Sequence, residues 1–344
     1  MTRARPPGTR PTLDEVAARA GVGRGTVSRV VNGSAQVSPQ AREAVQRAID
    51  ELGYVPNRAA RALVTRRTDS VALVVSESEE RVFGEPFFAG VVRGISAELA
   101  TTPLQLWLAM AQRPAERQRV EHHLTTQHVD GVMLLSLHGA DPLPAMLGER
   151  GLPTVLGGRT VSAIAPHWPV RWVDSDNEGG ARTAVEYLIA SGRQRIAHVA
   201  GTQDMAVGIE RLAGYRAALA AAGRPVHPFD VEAGDFSEES GAVATRALLE
   251  RVPDLDAIFV GSDVMALGTL RALRQAGCRI PDDIAVVGFD DAWVAKQADP
   301  PLTTVHQPVE SMGRAMARLL FDLINGEDVP DVLLQTHLVH RASA

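Results

Sequence analysis

Apolar residues recur at helical spacing in two short stretches near the start of the chain: Leu13, Val16, Ala17 and Ala20, then Thr26, Val27, Val30 and Val31. Gly21 and Gly23 interrupt them, so the pattern predicts two amphipathic helices around a glycine turn. Ser38-Pro39 suits the N-cap and first turn of a third helix, whose stripe Ala41, Ala44, Val45, Ala48, Ile49 and Leu52 runs to Gly53. An extended turn over residues 54–57 and a helix-capable stretch over 58–64, too short to be stable alone, read as a linker. From Ser70 the period changes. Continuous apolar runs at 71–75, 104–110, 131–136 and 153–157, then at 196–201, 257–262 and 284–290, alternate with longer helical stretches. Two such series predict parallel sheets covered on both faces, in two α/β lobes.

The second helix carries a polar edge, Arg24, Thr26, Ser28, Arg29 and Asn32, opposite its apolar face. Donors and acceptors on the second helix of a helix-turn-helix suit base edges and phosphates in a major groove. The run Gly21-Val22-Gly23-Arg24-Gly25 superficially echoes a phosphate-cradling loop, but it follows a helix where the dinucleotide fingerprint needs a strand, and the third glycine is misplaced. Charge sharpens the DNA reading. Residues 1–68 hold twelve arginines, no lysine and five acids, a balance of +7, which leaves −13 for the rest of a chain whose total is −6. A basic head on an acidic body marks a nucleic-acid module joined to a domain that should avoid DNA.

The 344 residues allow two or three domains, and the basic start MTRARPPGTRP has no apolar run behind it. It therefore reads as a disordered arm, and the chain as cytoplasmic with no membrane partner. Cys278 is the only cysteine, which excludes an internal disulfide and a cysteine-based zinc site. His122, His123 and His128 lie among acids at helical spacing and read as a solvated helix face. No nucleophile motif accompanies them. The chain is expected not to be an enzyme, with no catalytic residue, metal or cofactor.

Ligands of open α/β sheets sit beyond the carboxyl ends of the strands. Those ends carry Ser76-Glu77, Gly158-Arg159, Asp204 and Arg211, Ser262-Asp263 and Asp290-Asp291. Carboxylates, guanidinium groups and aromatics around one cleft suit a polyhydroxylated ligand. Helix capping explains Asp263 without any ligand; Arg211 and Asp290 are the stronger candidates.

The segments TLDEVAARAGVGRGTVSRVVNGSAQVS, GYVPNRAARAL, AVEYLIASGRQRIAHVAG, ERLAGYRAAL, SDVMALGTLRAL, IPDDIAVVGFDD and PPLTTVHQP resemble the lactose-repressor (LacI/GalR) family of bacterial transcription regulators. Within it, GVGRGTVSRVVNGS and RALVTRRTDSVALVVSE look most like actinobacterial cellobiose-responsive repressors. The resemblance implies an arm over 1–10, a helix-turn-helix head over 11–56, a hinge helix over 57–68 and a body over 69–344 like periplasmic sugar-binding proteins. The lobes would be 70–172 with 304–328, and 173–303 with 329–344. It further implies a homodimer on a pseudo-palindromic double-stranded operator, with Arg24, Gly25 and Arg29 reading bases, Thr12, Thr26, Ser28, Asn32, Tyr54 and Asn57 near the backbone, and Leu63 wedged into the minor groove. A small sugar would meet Arg211 and Asp290, stack on Phe236, and reach Ser262, Gln307 and Arg159, with Phe87 and Phe88 at the other lip. Gly157-Gly158-Arg159 replaces the family's acidic residue, which implies room for more than a monosaccharide. No leucine heptad follows the last strand region, so a dimer rather than a tetramer is expected. Two other readings remain open to the residues: a corepressor-type regulator that binds DNA only with ligand, and a cytosolic sugar-binding protein without a transcriptional role.

Overall fold

The computed structural model describes residues 11–31, 34, 36–55, 67–126 and 128–344, and it divides into two units, one ending at Thr68 and the other beginning at Asp69. Asn32, Asn57 and Leu63, with the arm and most of the hinge segment, lie outside the described residues.

In the head, α1 (Leu13–Ala20) starts at Thr12, whose hydroxyl accepts the Glu15 N–H at 3.3 Å while the Glu15 carboxylate accepts the Thr12 N–H at 2.7 Å. This capping box satisfies two donors that a helix start leaves open. Gly21 ends the helix at φ +66°, a conformation glycine adopts without strain. The second helix, α2 (Arg24–Val31), and the third, α3 (Pro39–Leu52), follow, the latter capped by the Ser38 hydroxyl and stopped at Gly53. Val16, Val27 and Val45, one from each helix, meet Ala17, Val30, Ala48 and Tyr54 in one small core. Tyr54 was expected on a phosphate-facing surface, yet it is only 9 % exposed. So small a head has little apolar area to bury, and the tyrosine ring contributes more of it inside than out.

The described part of the body contains twelve strands: β1 (Ser70–Val75), β2 (Gln105–Met110), β3 (Gly131–Leu135), β4 (Thr154–Gly157), β5 (Val170–Ser175), β6 (Ile196–Ala200), β7 (Val231–Ala233), β8 (Ala257–Val260), β9 (Ala285–Asp290), β10 (Thr303–His306), β11 (Val332–Leu334) and β12 (His337–Val339). Its helices are α4 (Glu79–Gly84), α5 (Pro86–Leu99), α6 (Pro114–Thr125), α7 (Leu143–Glu149), α8 (Asn177–Ala190), α9 (Ala206–Ala221), α10 (Glu238–Arg251), α11 (Asp263–Gln275), α12 (Trp293–Gln297) and α13 (Val309–Ile324). One sheet runs β11-β5-β4-β3-β1-β2, all parallel; the other runs β12-β10-β9-β8-β6-β7, parallel except for β12. Each sheet has a separate hydrophobic cluster on either face, as continuous apolar strands require.

The chain crosses between lobes three times, and not where the sequence placed the crossings. Val173, Asp174 and Ser175 pair with β11 in the first sheet, so that lobe extends past 172 and includes 332–334. Thr303 to His306 pair with β9, so they belong to the second lobe. The links are polar: Asp176, Gln307-Pro308 and Gln335-Thr336. A strand stays in its sheet until its ladder ends, which places the crossings a few residues later than hydrophobicity alone suggests.

In the first lobe α5 and α13 lie side by side through glycines. A Cβ on Gly94 would sit 2.1 Å from the Glu310 carbonyl, and one on Gly313 would sit 2.2 Å from the Val91 carbonyl. Neither helix can accept a methyl there without moving apart. Gly313→Ala should therefore lower the stability of the full-length protein by about 1 to 3 kcal/mol, the cost of overpacking, read as a lower thermal midpoint; an unchanged midpoint would mean that the two helices slide freely.

Candidate functional site

A cleft of about 560 Å³ opens between the lobes, walled by the carboxyl ends of strands from both. All eight residues expected at the effector line it: Phe87, Phe88, Arg159, Arg211, Phe236, Ser262, Asp290 and Gln307.

At its base Arg211, on α9 and 3 % exposed, is engaged on every side. Its Nε donates to Asn177 Oδ1 at 3.0 Å, Nη1 to the Gly261 carbonyl at 2.5 Å, and Nη2 to Gln307 Oε1 at 3.2 Å, while Asp290 Oδ1 lies 3.2 Å from Nη1. The guanidinium also lies over the Phe289 ring, 3.7 Å from its centroid. Burial pulls Arg211 below the ordinary guanidinium range and Asp290 opposes that pull. Asp290 is pushed up to about 6 by burial, against the attraction of Arg211. The base is thus polar and already satisfied by protein, and a ligand hydroxyl arriving there has to share or replace these bonds.

Beside it lies an ionic cluster that the sequence reading only partly anticipated. Arg159, from the first lobe, donates through Nε to Asp174 at 3.0 Å, and the same nitrogen is 3.1 Å from Glu210 of α9 in the second lobe. Burial raises Asp174, and burial followed by the Asp174 charge pushes Glu210 up to about 7. Asp174 and Asn177 carry no sequence signal of their own, because β5 has a half-polar pattern that does not read as a buried strand. The replacement Gly157-Gly158 leaves the expected room at only one of its two positions. A Cβ at Gly157 would meet Leu135 Cδ2 at 2.3 Å, so that space belongs to the core, whereas a Cβ at Gly158 meets nothing within 4 Å.

Ring contacts complete the walls. Phe236 sits at φ +70° with its ring against Gly201, where a Cβ would be 2.1 Å from Phe236 Cζ, and the Arg81 guanidinium from the first lobe lies 5.8 Å from the ring centroid. Arg81 is itself held by Glu77 at 2.8 Å and Glu85 at 2.6 Å. Phe88 is 2 % exposed and forms part of the lobe core, with Phe87 edge-on to it at 5.3 Å; Phe87 is the more accessible of the two. Ser262 spends its oxygen on the Met265 N–H as the cap of α11, while Asp263, expected to be a cap, is fully buried and accepts the Ala292 N–H at 2.8 Å.

A second interlobe tie stands at the rim. His138 Nδ1 is 2.9 Å from Asp204 Oδ2 of the second lobe, and its Nε2 is 3.1 Å from Glu77 Oε1; the Gly139 N–H adds a bond to the Asp204 carbonyl at 2.7 Å. Asp204, a strand-end candidate in the sequence, is therefore spent on this contact. The hydrogen bond that the imidazole donates to Glu77, then the one to Asp204, raises it above its ordinary value despite burial.

In the head, Arg24, Gly25 and Arg29 are exposed, and Thr26 and Ser28 half-buried, along α2. Arg24 meets Asp14 at 3.6 Å in an open ion pair worth little. A Cβ on Gly25 would meet nothing within 4 Å, so the head itself does not require glycine there. Thr12 uses its hydroxyl as the α1 cap.

His122 and His128 are exposed, as a solvated face predicts, while His123 is half-buried and stacks on Trp107 of β2 at 3.8 Å between centroids, with His128 4.6 Å beyond. Among the described residues no cluster of three or more His, Cys, Asp or Glu could hold a metal, and no helix is long and apolar enough to cross a membrane.

Residues 12–57 match the bacterial regulatory proteins of the lacI family, and residues 185–344 match the periplasmic binding protein-like domain. The HTH-type transcriptional regulator CelR of Thermobifida fusca is 57 % identical over 97 % of this chain and 98 % of its own. The chain belongs to the lacI family. A solved complex of the regulator CelR with cellobiose is 55 % identical, covering 97 % of this chain and 100 % of that one, at a TM-score of 0.78. The lac repressor dimer bound to operator and an anti-inducer is 30 % identical over 97 % of this chain and 99 % of that one, at 0.83. The lacI-family relatives named here are transcription regulators, and this chain is a regulator of that family rather than an enzyme.

The rim tie of this lacI-family body carries a sign. A raised imidazole pKa means that the closed contact holds its proton more tightly, so its stabilisation is full below about pH 6.5 and fades as pH rises through the raised value. Glu210, raised to about 7, acts in the same direction, because the folded state holds its proton from the ordinary carboxyl range up to about 7 and that stabilisation fades as pH rises to that point. Raising the pH from about 6 to about 8 should therefore lower the thermal midpoint of the protein, and His138→Gln should flatten that slope; equal slopes in the two proteins would show that the imidazole makes no pH-linked contact.

Proposed function

We propose that the protein is a sequence-specific DNA-binding repressor of sugar-utilisation genes, acting in the cytoplasm as a homodimer on a pseudo-palindromic operator and released by a small sugar, cellobiose or a short cello-oligosaccharide. The observation that carries this reading is the interlobe cleft: a polar, charged base and aromatic walls, in a chain 55 % identical to a regulator solved with cellobiose. A ligand seated there touches both lobes, so it favours one lobe arrangement over another by the difference in its affinity for the two.

The DNA side rests on α2. Arg24 opens the helix, where N-terminal residues of a recognition helix meet bases, and Arg29 follows on its exposed side. Gly25 costs helix propensity and fills no need of the head, which suits close approach of the backbone to the groove. Thr12, Thr26 and Ser28 supply hydroxyls for phosphates; Asn32, Asn57 and Leu63 complete the proposed interface from outside the described residues. Arg24→Ala should weaken operator binding by about 1 to 3 kcal/mol and leave binding to random duplex nearly unaltered, because a guanidinium pairs with guanine O6 and N7. Equal losses on both duplexes in a mobility-shift titration would make Arg24 a phosphate contact.

In the cleft, Asp290, Gln307 and Arg159 offer the acceptors and donors for sugar hydroxyls, Phe236 a ring face, and Arg211 the fixed charge that holds Asp290 and Gln307. The deciding measurement is operator binding with and without cellobiose, paired with calorimetry of cellobiose with and without operator. Cellobiose should lower operator affinity, and operator should lower cellobiose affinity by the same factor, typically worth about 1 to 3 kcal/mol. An operator affinity that rises with ligand would establish the corepressor mode instead, and no sequence-specific DNA binding at all would leave a sugar-binding protein.

A further inference from the structure

Trp293 stands out among the large apolar side chains of the body. It is 60 % exposed, yet it lines the same cleft as Arg211 and Asp290. An indole left in water forgoes the burial that usually fixes it, so an exposed one on the wall of a ligand cleft asks for an occupant.

Its position is fixed by an unusual turn. Asp290 and Asp291 both have left-handed backbones, at φ +116° and +53°, a conformation that non-glycine residues keep only where the surroundings impose it, often at ligand clamps. Here the surroundings do so. The fully buried Asp263 carboxylate accepts the Ala292 N–H at 2.8 Å and the Thr304 hydroxyl at 2.5 Å, and Asp291 is held by His306 at 3.0 Å and by Arg341. Ala292 is the N-cap residue of α12, Trp293 its first residue, and Ala295 anchors the helix in the lobe core. The turn therefore presents the indole from a pinned backbone, and tryptophan adds only two side-chain torsions of its own.

Trp293 is three residues beyond Asp290, a chain reach of at most about 11 Å, so one extended ligand can meet both. The inner end of the cleft is polar, built around Arg211, Asn177, Asp290 and Gln307; the part beside Trp293 offers a flat apolar face. The rings of a β-linked glucose disaccharide have equatorial hydroxyls and apolar faces, which fits hydrogen bonding for one ring and stacking for the next.

On the reading that the effector is a small sugar, we propose that Trp293 is the platform for the second pyranose ring of a bound disaccharide and sets the preference for disaccharide over monosaccharide.

The test is calorimetry of full-length wild type, Trp293→Ala and Trp293→Phe with cellobiose, with glucose affinity read by displacement of bound cellobiose. The ratio of cellobiose to glucose affinity should fall about tenfold or more in Trp293→Ala, the loss of a stacked ring, and Trp293→Phe should restore most of it. A ratio that stays at the wild-type value overturns the proposal. So does an equal loss for both sugars accompanied by dissociation of the dimer in sedimentation, which would make the indole a contact with a second copy of the chain. Wild-type protein that binds neither sugar defeats the sugar reading itself, independently of either variant.

Discussion

The body depends on one buried cation. Arg211 is removed from water at the junction of the lobes, where an unpaired guanidinium would cost far more than the fold can supply. Its partners are the first residue of α8, next to the Asp176 crossing (Asn177), the residue after β8 (Gly261), the end of β9 (Asp290) and the β10-to-α13 link (Gln307). Two of the three interlobe crossings are thereby tied to a single side chain. Removing it would strand Asp290 and release those crossings together, so Arg211 organises the cleft at least as much as it offers a contact to a ligand.

Ties farther from the base have another character. Arg159 to Glu210, and Glu77 through His138 to Asp204, join the lobes; Arg159, His138 and Asp204 are part exposed, and Glu210 is raised toward neutrality. Such contacts contribute modestly and can be exchanged for water or for ligand at small cost. A firm base with breakable ties along the opening is what a hinge-type body needs in order to hold two arrangements close in free energy.

What the sequence disclosed follows the strength of its physical signals. Six buried strands and the exposed edge strand β2, all with apolar runs, and the head helices, two of them with a hydroxyl cap and a glycine stop, were plain because period and cap chemistry agree. The strands β5, β7, β10, β11 and β12 were not anticipated, being short, edge-placed or half polar, and the lobe boundaries drifted with them. The same blindness hid Asp174 and Asn177. The eight cleft residues were legible at strand ends and through family resemblance, but their division of labour was not: Asp204 and Asp263 turned to partners far apart in sequence, Phe88 went into the core, and Gly157 proved to be a packing residue. Pairings over such separations leave no periodic trace.

Charge gives the two units separate tasks. With +7 over residues 1–68 and −13 over the remainder, attraction to phosphate resides in the first segment, and the acidic body is repelled by any duplex it approaches. The cleft residues all lie after Asp69, so no proposed effector contact is also a proposed DNA contact. Direct competition between sugar and operator for the same side chains is excluded by that division. Any influence of one on the other has to be a coupling free energy, bounded by how differently the ligand binds the available lobe arrangements.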